Sequence, residues 1–252
     1  MLYTHLMAFG RRDREEDRQV PEKTSYGFEG SGQSTAILSA LFLSFAFFRD
    51  LPEPWSLLLV PFTVYVGVVS ICMVIGMTDW YRNGLDARII DVLQMGRGSR
   101  PLNIVCGTGS LAVAFAKFIR KGEVRACDQW TPAKRNPDPA RRTRDNVRIE
   151  SVDDIVLMDS IDPPTLPYKA STFNVAGSRY GITNTRKGKK HLVHETLRVL
   201  KSGGRLALAE GLVMALWLKY RVLRPLEHDF KVSDIQLNRY HFTWIVSAQK
   251  LG

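Results

Sequence analysis

Cysteine is scarce: Cys72, Cys106 and Cys127 are the three in 252 residues, and neither CxxC nor paired spacing links them. That excludes a disulfide framework and a zinc ribbon, and it suits a reducing compartment. Acidic residues are outnumbered, 25 against 35 basic. No RNP-type or zinc-finger pattern accompanies the basic excess, so no nucleic acid partner is expected. There is no internal repeat. A secretory signal is also excluded, because the first apolar segment begins late and no small-residue cleavage site follows it.

What is present is unevenly spread. The long apolar runs lie before residue 78, whereas Trp80 to Gly252 carries 29 basic and 16 acidic residues. A basic surface next to apolar segments favours anionic lipid as partner. Residues 1–31 are polar and mixed in charge, which predicts a mobile arm. Residues 32–78 predict a transmembrane helical hairpin. Its first apolar run, Thr35 to Phe48, is short; its second, Trp55 to Met77, has no charged residue and at about 1.5 Å per residue is long enough to span. Trp55, Trp80 and Tyr81 stand where interfacial anchors belong. Arg11, Arg12, Arg14 and Arg18 precede the hairpin and Arg82, Arg88, Arg97 and Arg100 follow it, whereas the link holds Arg49. By the positive-inside rule the hairpin is multi-pass with its flanks in the cytosol.

Residues 79–252 read as one catalytic domain. Leu85, Ile89, Ile90 and Leu93 recur at helical spacing. Strands are expected at 101–106, 123–128, near 155–158, at 173–178 and at 204–210. Helices are expected at 110–121, 187–200 and near 212–222. Such alternation implies an α/β domain with a mostly parallel sheet covered on both faces. Two last strands, about 231–237 and 240–249, are joined too tightly for a crossover and predict an antiparallel edge. A Pro- and Arg-rich connection follows the strand at 123–128, with Arg141, Arg142 and Arg144 as a solvated or lipid-facing patch.

The chemistry concentrates in PLNIVCGTGSLAVAFAKFIRKGEVRACD, where a short strand runs into Gly107-Thr108-Gly109 and a helix. A second strand then ends on Asp128, 19 residues after Gly109. Glycines there admit a ligand that a Cβ excludes, and an acid ending the second strand can accept hydrogen bonds from ribose hydroxyls. Ser110-Leu111-Ala112 follows without the third glycine of a GxGxxG fingerprint, which disfavours a nicotinamide dehydrogenase.

The same stretch, with DSIDPPTLPYKASTFNVAGSRYGITNT and HETLRVLKSGGRLALAE, resembles the Rossmann-like class I S-adenosylmethionine-dependent methyltransferases over roughly residues 82–250. CDQW and NVRIESVDD resemble a bacterial-type subgroup with an N-terminal hydrophobic region, and FNVAGSRYGITNT is also similar to quinone C-methyltransferases. The resemblance implies S-adenosyl-L-methionine as cofactor. Cys106, Gly107 and Gly109 would line its methionine and ribose parts, and Asp128 would hold the ribose hydroxyls. Trp130 would pack near the adenine, Asp159 would accept from its amino group, and Ser178 would face the reacting centre. It implies no catalytic base; Tyr180 is a substrate-side candidate, and His191 and His194 read as surface residues.

Three departures stand out. Asn103 replaces an acid, Val105 the first glycine of the loop, and Asn174 the Asp of a Phe-Asp pair. The expected function is methyl transfer to a small or lipophilic acceptor at a membrane. The alternative is a catalytically degenerate fold acting as a membrane-bound interaction module.

Overall fold

A computed structural model describes residues 24, 26, 67–68, 79–130, 138, 140–162, 165–227 and 232–251. The predicted hairpin lies almost wholly outside the described residues. Among those described, no helix is long and apolar enough to cross a membrane.

The chain runs α1 (Asp79–Val92), β1 (Pro101–Ile104), α2 (Ser110–Ile119), β2 (Val124–Asp128), α3 (Arg141–Ile149), β3 (Val156–Ser160) and β4 (Phe173–Arg179). A short α4 (Gly181–Asn184), α5 (Lys189–Val199) and β5 (Leu200–Glu210) follow. Then come α6 (Leu212–Trp217), a π-helical turn (Leu218–Leu223), a 3-10 turn (Arg224–Leu226), β6 (Val232–Tyr240) and β7 (Thr243–Lys250). The strands form one sheet in the order β3-β2-β1-β4-β5-β7-β6. β1 to β5 are parallel. β7 runs antiparallel to both β5 and β6 and lies between them, so the hairpin inserts its second strand into the sheet.

Alternation of side chains along each strand divides the core in two. Leu102, Ile104, Ala176 and Leu206 face α5, α6 and the π-helical turn, where Leu192, Leu197, Ala215, Leu218 and Val222 are buried. Ala126, Val175, Ala207 and Ile245 face α1 and α2, where Leu85, Ile89, Phe115 and Ala116 are buried. β1 and β4 are largely buried because both faces of the parallel part of the sheet are covered.

Several expectations need correction. The Pro- and Arg-rich connection before β3 contains a helix that was not expected, α3, whose Arg141 and Arg142 are exposed while Thr143, Asn146 and Val147 are buried. Tyr81 is not an interfacial anchor. It is 2% exposed, stacks on Phe242 with ring centroids 4.5 Å apart, and its hydroxyl lies 2.5 Å from Thr243 Oγ1. Trp80 beside it is 66% exposed. The strand expected at 204–210 begins earlier, at Leu200: Leu200 pairs with Phe173 and Arg205 with Val175, so the intervening residues bulge out, with Gly203 at φ 75°. The arm also touches the domain, because Tyr26 is 6% exposed against it.

Candidate cofactor-binding site

The sheet order reverses between β1 and β4, and ligands of open α/β sheets bind at the carboxyl ends of the strands beside such a switch. There β1 gives way to the loop Val105–Gly109. Cys106 N–H donates to Cys127 O (3.0 Å) and Gly109 N–H to Cys106 O (2.9 Å), folding the loop tightly before α2. Gly109 has φ 84°, and a Cβ there would lie 2.8 Å from Thr143 Cγ2. Only glycine meets both conditions without strain.

Asp128 ends β2 directly beside this loop. Its Oδ2 accepts from Gly107 N–H at 2.7 Å and its Oδ1 from Gln129 N–H at 2.6 Å. Each oxygen keeps a lone pair for a further donor. Burial raises the Asp128 carboxyl above the ordinary range, with the Gly107 and Gln129 amides pulling the other way. Trp130, two residues on, is half-buried against the α1–α2 side of the core. Cys106 is buried on that same side. The structure therefore brings Cys106, Gly107, Gly109 and Asp128 into one corner, with Trp130 following directly after Asp128.

Asp159 is elsewhere. Parallel partners point their side chains to one face, and Asp159 pairs with Cys127, whereas Asp128 pairs with Ser160. Asp159 thus shares a face with Arg125, whose guanidinium approaches to 3.1 Å, and Tyr168 O–H donates to it at 2.8 Å. Its carboxylate braces the Leu166-Pro167-Tyr168 turn instead of reaching past the strand end. Asp162, exposed beyond the end of β3, is the acid at that edge. Ser178 is also turned inward: its Oγ is fully buried, has no hydrogen-bond partner among the described residues, and presses against the position a Gly181 Cβ would take.

Val105 adopts φ 49°, a left-handed conformation costing a β-branched residue about 1–2 kcal/mol. This explains physically why the position suits glycine. Its side chain packs on the α5–α6 side of the core, with Cβ 2.7 Å from where a Gly181 Cβ would sit. It fills space beside Gly181, at the start of α4. Asn103 is buried in β1, and among the described residues neither of its side-chain polar atoms has a hydrogen-bond partner.

Three loop-holding residues had no signal in the glycine motif. Thr143 Oγ1 donates to Gly107 O (2.7 Å) and Asn146 Nδ2 to Thr108 O (2.9 Å), so α3 clamps the loop from the side. Thr108 Oγ1 donates to Tyr26 O (3.0 Å), Tyr26 O–H donates to Glu150 Oε1 (3.2 Å), and the Arg82 guanidinium lies 4.2 Å from the Tyr26 ring centroid. The i, i+3, i+4 spacing of Thr143, Asn146 and Val147 is the one trace of this clamp in the sequence.

Gly109→Ala is expected to destabilise the domain by about 2 kcal/mol, from the left-handed backbone and the methyl overlap. Thr143→Ser, which removes Cγ2 and keeps the hydroxyl, should return part of that loss. Denaturant unfolding of the single and double variants measures both.

The glycine loop, the acid ending β2 and the reversed antiparallel strand define a Rossmann-like methyltransferase fold. A putative S-adenosylmethionine-dependent methyltransferase from Methanococcus maripaludis shares it, with a TM-score of 0.53 at 15% identity over 68% of this chain and 86% of that one. So does M. jannaschii TYW2, solved in complex with AdoMet, with a TM-score of 0.50 at 13% identity over 69% of this chain and 77% of that one. The profile of the ubiE/COQ5 methyltransferase family matches residues 72–218, and the chain belongs to that family of S-adenosylmethionine-dependent methyltransferases. The ubiquinone/menaquinone biosynthesis C-methyltransferase UbiE of Azotobacter vinelandii is 31% identical over 122 residues, 48% of this chain and 46% of that protein. The 27-O-demethylrifamycin SV methyltransferase of Amycolatopsis mediterranei is 28% identical over 130 residues, 52% and 45% respectively. The chain spans about half the length of the curated relatives it matches.

Proposed function

We propose that this chain transfers a methyl group from S-adenosylmethionine to a small lipophilic acceptor, of quinone type, presented at a membrane. Residues 32–78 would hold it there as a hairpin, with the domain on the cytosolic face. The observation that carries the cofactor reading is Asp128, poised at the end of β2 with its carboxylate against the Gly107 amide. The acceptor reading draws on the UbiE relatives and on FNVAGSRYGITNT; the membrane reading draws on the charge-free run and its flanking arginines.

The residues present fit the cofactor. Asp128 would hold its ribose hydroxyls, Gly107 and Gly109 would shape the loop that faces it, and Trp130 and the exposed Asp162 would stand on the adenine side. When bound, S-adenosylmethionine supplies a methyl group on a sulfonium that is already a good leaving group. The protein's task is then to align donor and acceptor and exclude water. Tyr180 is shaped for orientation and not for proton abstraction. Its hydroxyl is hydrogen-bonded with Thr243 Oγ1, and burial raises its pKa, so it stays protonated.

Titration calorimetry on the full chain in detergent, with S-adenosylmethionine and S-adenosylhomocysteine, tests the first half of this reading. Transfer of labelled methyl to a prenylated quinone lacking a ring methyl tests the second. The alternative, a fold kept as a membrane-bound interaction module, draws on the strained Val105 in place of glycine. It takes over should neither ligand bind at millimolar concentration.

A further inference from the structure

β5 ends at the carboxyl edge of the sheet, and the segment after it has an unusual composition. From Gly211 to Leu226 there is no acidic residue, while Lys219, Arg221 and Arg224 are basic. The inward side is ordinary: Ala215, Leu218, Val222, Leu223 and Leu226 are buried in the core. The outward side is not. Leu212 is 45% exposed, Val213 84%, Leu216 37% and Tyr220 50%. At about 100° per residue Leu212, Val213 and Leu216 fall within one sector of α6, and Tyr220 lies on the π-helical turn that continues it. Lys219 Nζ lies 5.6 Å and the Arg224 guanidinium 5.1 Å from the Tyr220 ring centroid, so cations flank the apolar band.

We propose that Leu212–Leu226 is an interfacial docking surface for an anionic lipid bilayer. Leu212, Val213, Leu216 and Tyr220 enter the headgroup boundary, and Lys219, Arg221 and Arg224 meet lipid phosphates. An apolar stripe with cationic flanks is the arrangement that holds a helix in the plane of a membrane. A segment of sixteen residues with three cations and no acid complements a negatively charged surface. The surface leaves directly from Glu210, at the end of the strand beside α4, so docking turns the carboxyl edge of the sheet toward the lipid. This goes beyond the methyl-transfer reading and does not depend on it, because docking is measured without cofactor or acceptor.

The test uses the full chain with Cys72→Ser, carrying a spin label at Val213→Cys, at Leu216→Cys or, as control, at Ser202→Cys on the far end of β5. Power saturation against oxygen and a polar nickel complex is read with phosphatidylcholine vesicles, with and without phosphatidylglycerol. Labels at 213 and 216 are expected to gain oxygen and lose nickel accessibility when phosphatidylglycerol is present, while the label at 202 stays aqueous. Lys219→Glu with Arg221→Glu and Arg224→Glu should lower the ratio of lipid-inserted to aqueous 213 and 216 labels by about a hundredfold. That holds even where the chain still cosediments through its N-terminal apolar runs. A 213 label that keeps full nickel access in chains bound to anionic vesicles overturns the proposal. So does a 213 label shielded from both reagents without lipid in a concentration-dependent way, which would assign the face to a second copy of the chain. The label readings on the unreversed chain decide the matter should the charge-reversed variant fold poorly.

Discussion

Asp128→Ala is expected to weaken S-adenosylmethionine binding by at least tenfold, with an unchanged stoichiometry in titration calorimetry. Two hydrogen bonds from ribose hydroxyls to a carboxylate contribute on the order of 1.5–3 kcal/mol each, and about 1.4 kcal/mol is one decade. The structure adds a second loss: Asp128 also takes the Gly107 amide, so alanine leaves that amide without its acceptor and loosens the loop the cofactor must approach. Asp128→Asn keeps an acceptor for Gly107 and should fall between the wild type and alanine. Asp138→Ala serves as the control. Asp138 pairs with Arg144 at the surface, and an exposed ion pair is worth about 0–1 kcal/mol with no route to the cofactor. Because burial raises the Asp128 carboxyl above the ordinary range, wild-type affinity should fall as pH drops through that raised value, where a proton competes with the hydroxyl donors. Binding that survives Asp128→Ala unchanged would leave the fold standing and remove this residue from the site.

Most of the sheet was legible, since short apolar strands covered on both faces leave a strong signal between helical stretches. The loop and Asp128 were legible for the same reason: a strand, two glycines, a helix and a strand-ending acid fall at a spacing that only the folded βαβ unit explains. Asp159 shows where that reasoning stops. The strand was expected near 155–158, which would have put Asp159 just past its end. The strand in fact runs to Ser160, and one residue of register decides which face a side chain takes. α3 was missed because RRTRDNVRI offers two apolar residues, Val147 and Ile149, two apart and so not at helical spacing. Its buried face is polar, and Thr143 and Asn146 are buried to hold backbone carbonyls of the loop. The position of β7 between β5 and β6 also had no local signature, because the tight hairpin dictates pairing with β6 but not which strand of the pair joins β5.

Stability of the domain should fall as pH rises from about 5 to about 7, and Glu210→Gln should remove much of that dependence. Glu210 ends β5 fully buried, and desolvation pushes its carboxyl from 4.5 up to about 7. Its Oε1 accepts from Ile182 N–H (2.9 Å) and Thr183 N–H (3.3 Å), and its Oε2 from Thr183 O–H (2.6 Å), so it fastens the start of α4 to the end of β5. A carboxyl whose folded pKa is raised favours the folded state most when protonated in both states, below its unfolded value. That advantage is lost as pH rises from the unfolded value to the folded one, here from 4.5 to about 7. A shift of that size corresponds to about 3 kcal/mol, at about 1.4 kcal/mol per pH unit. Asp86 and Asp128 are raised by burial as well and push the slope the same way, so Glu210→Gln flattens it without abolishing it. Glu123 and Glu195 are lowered by their arginine partners; their contribution is lost only toward more acid pH, outside this window. Glutamine keeps an oxygen for the Ile182 and Thr183 amides and carries no charge into the core, so the variant should be the more stable protein at pH 8. Glu210→Ala removes the acceptor with the charge and should be destabilised throughout, since the two amides of α4 are then left without it. Denaturant unfolding at several pH values separates these outcomes. Parallel slopes for the wild type and Glu210→Gln would mean that the carboxylate at the end of β5 is ionised across the whole range and that the amides of α4 alone hold it so.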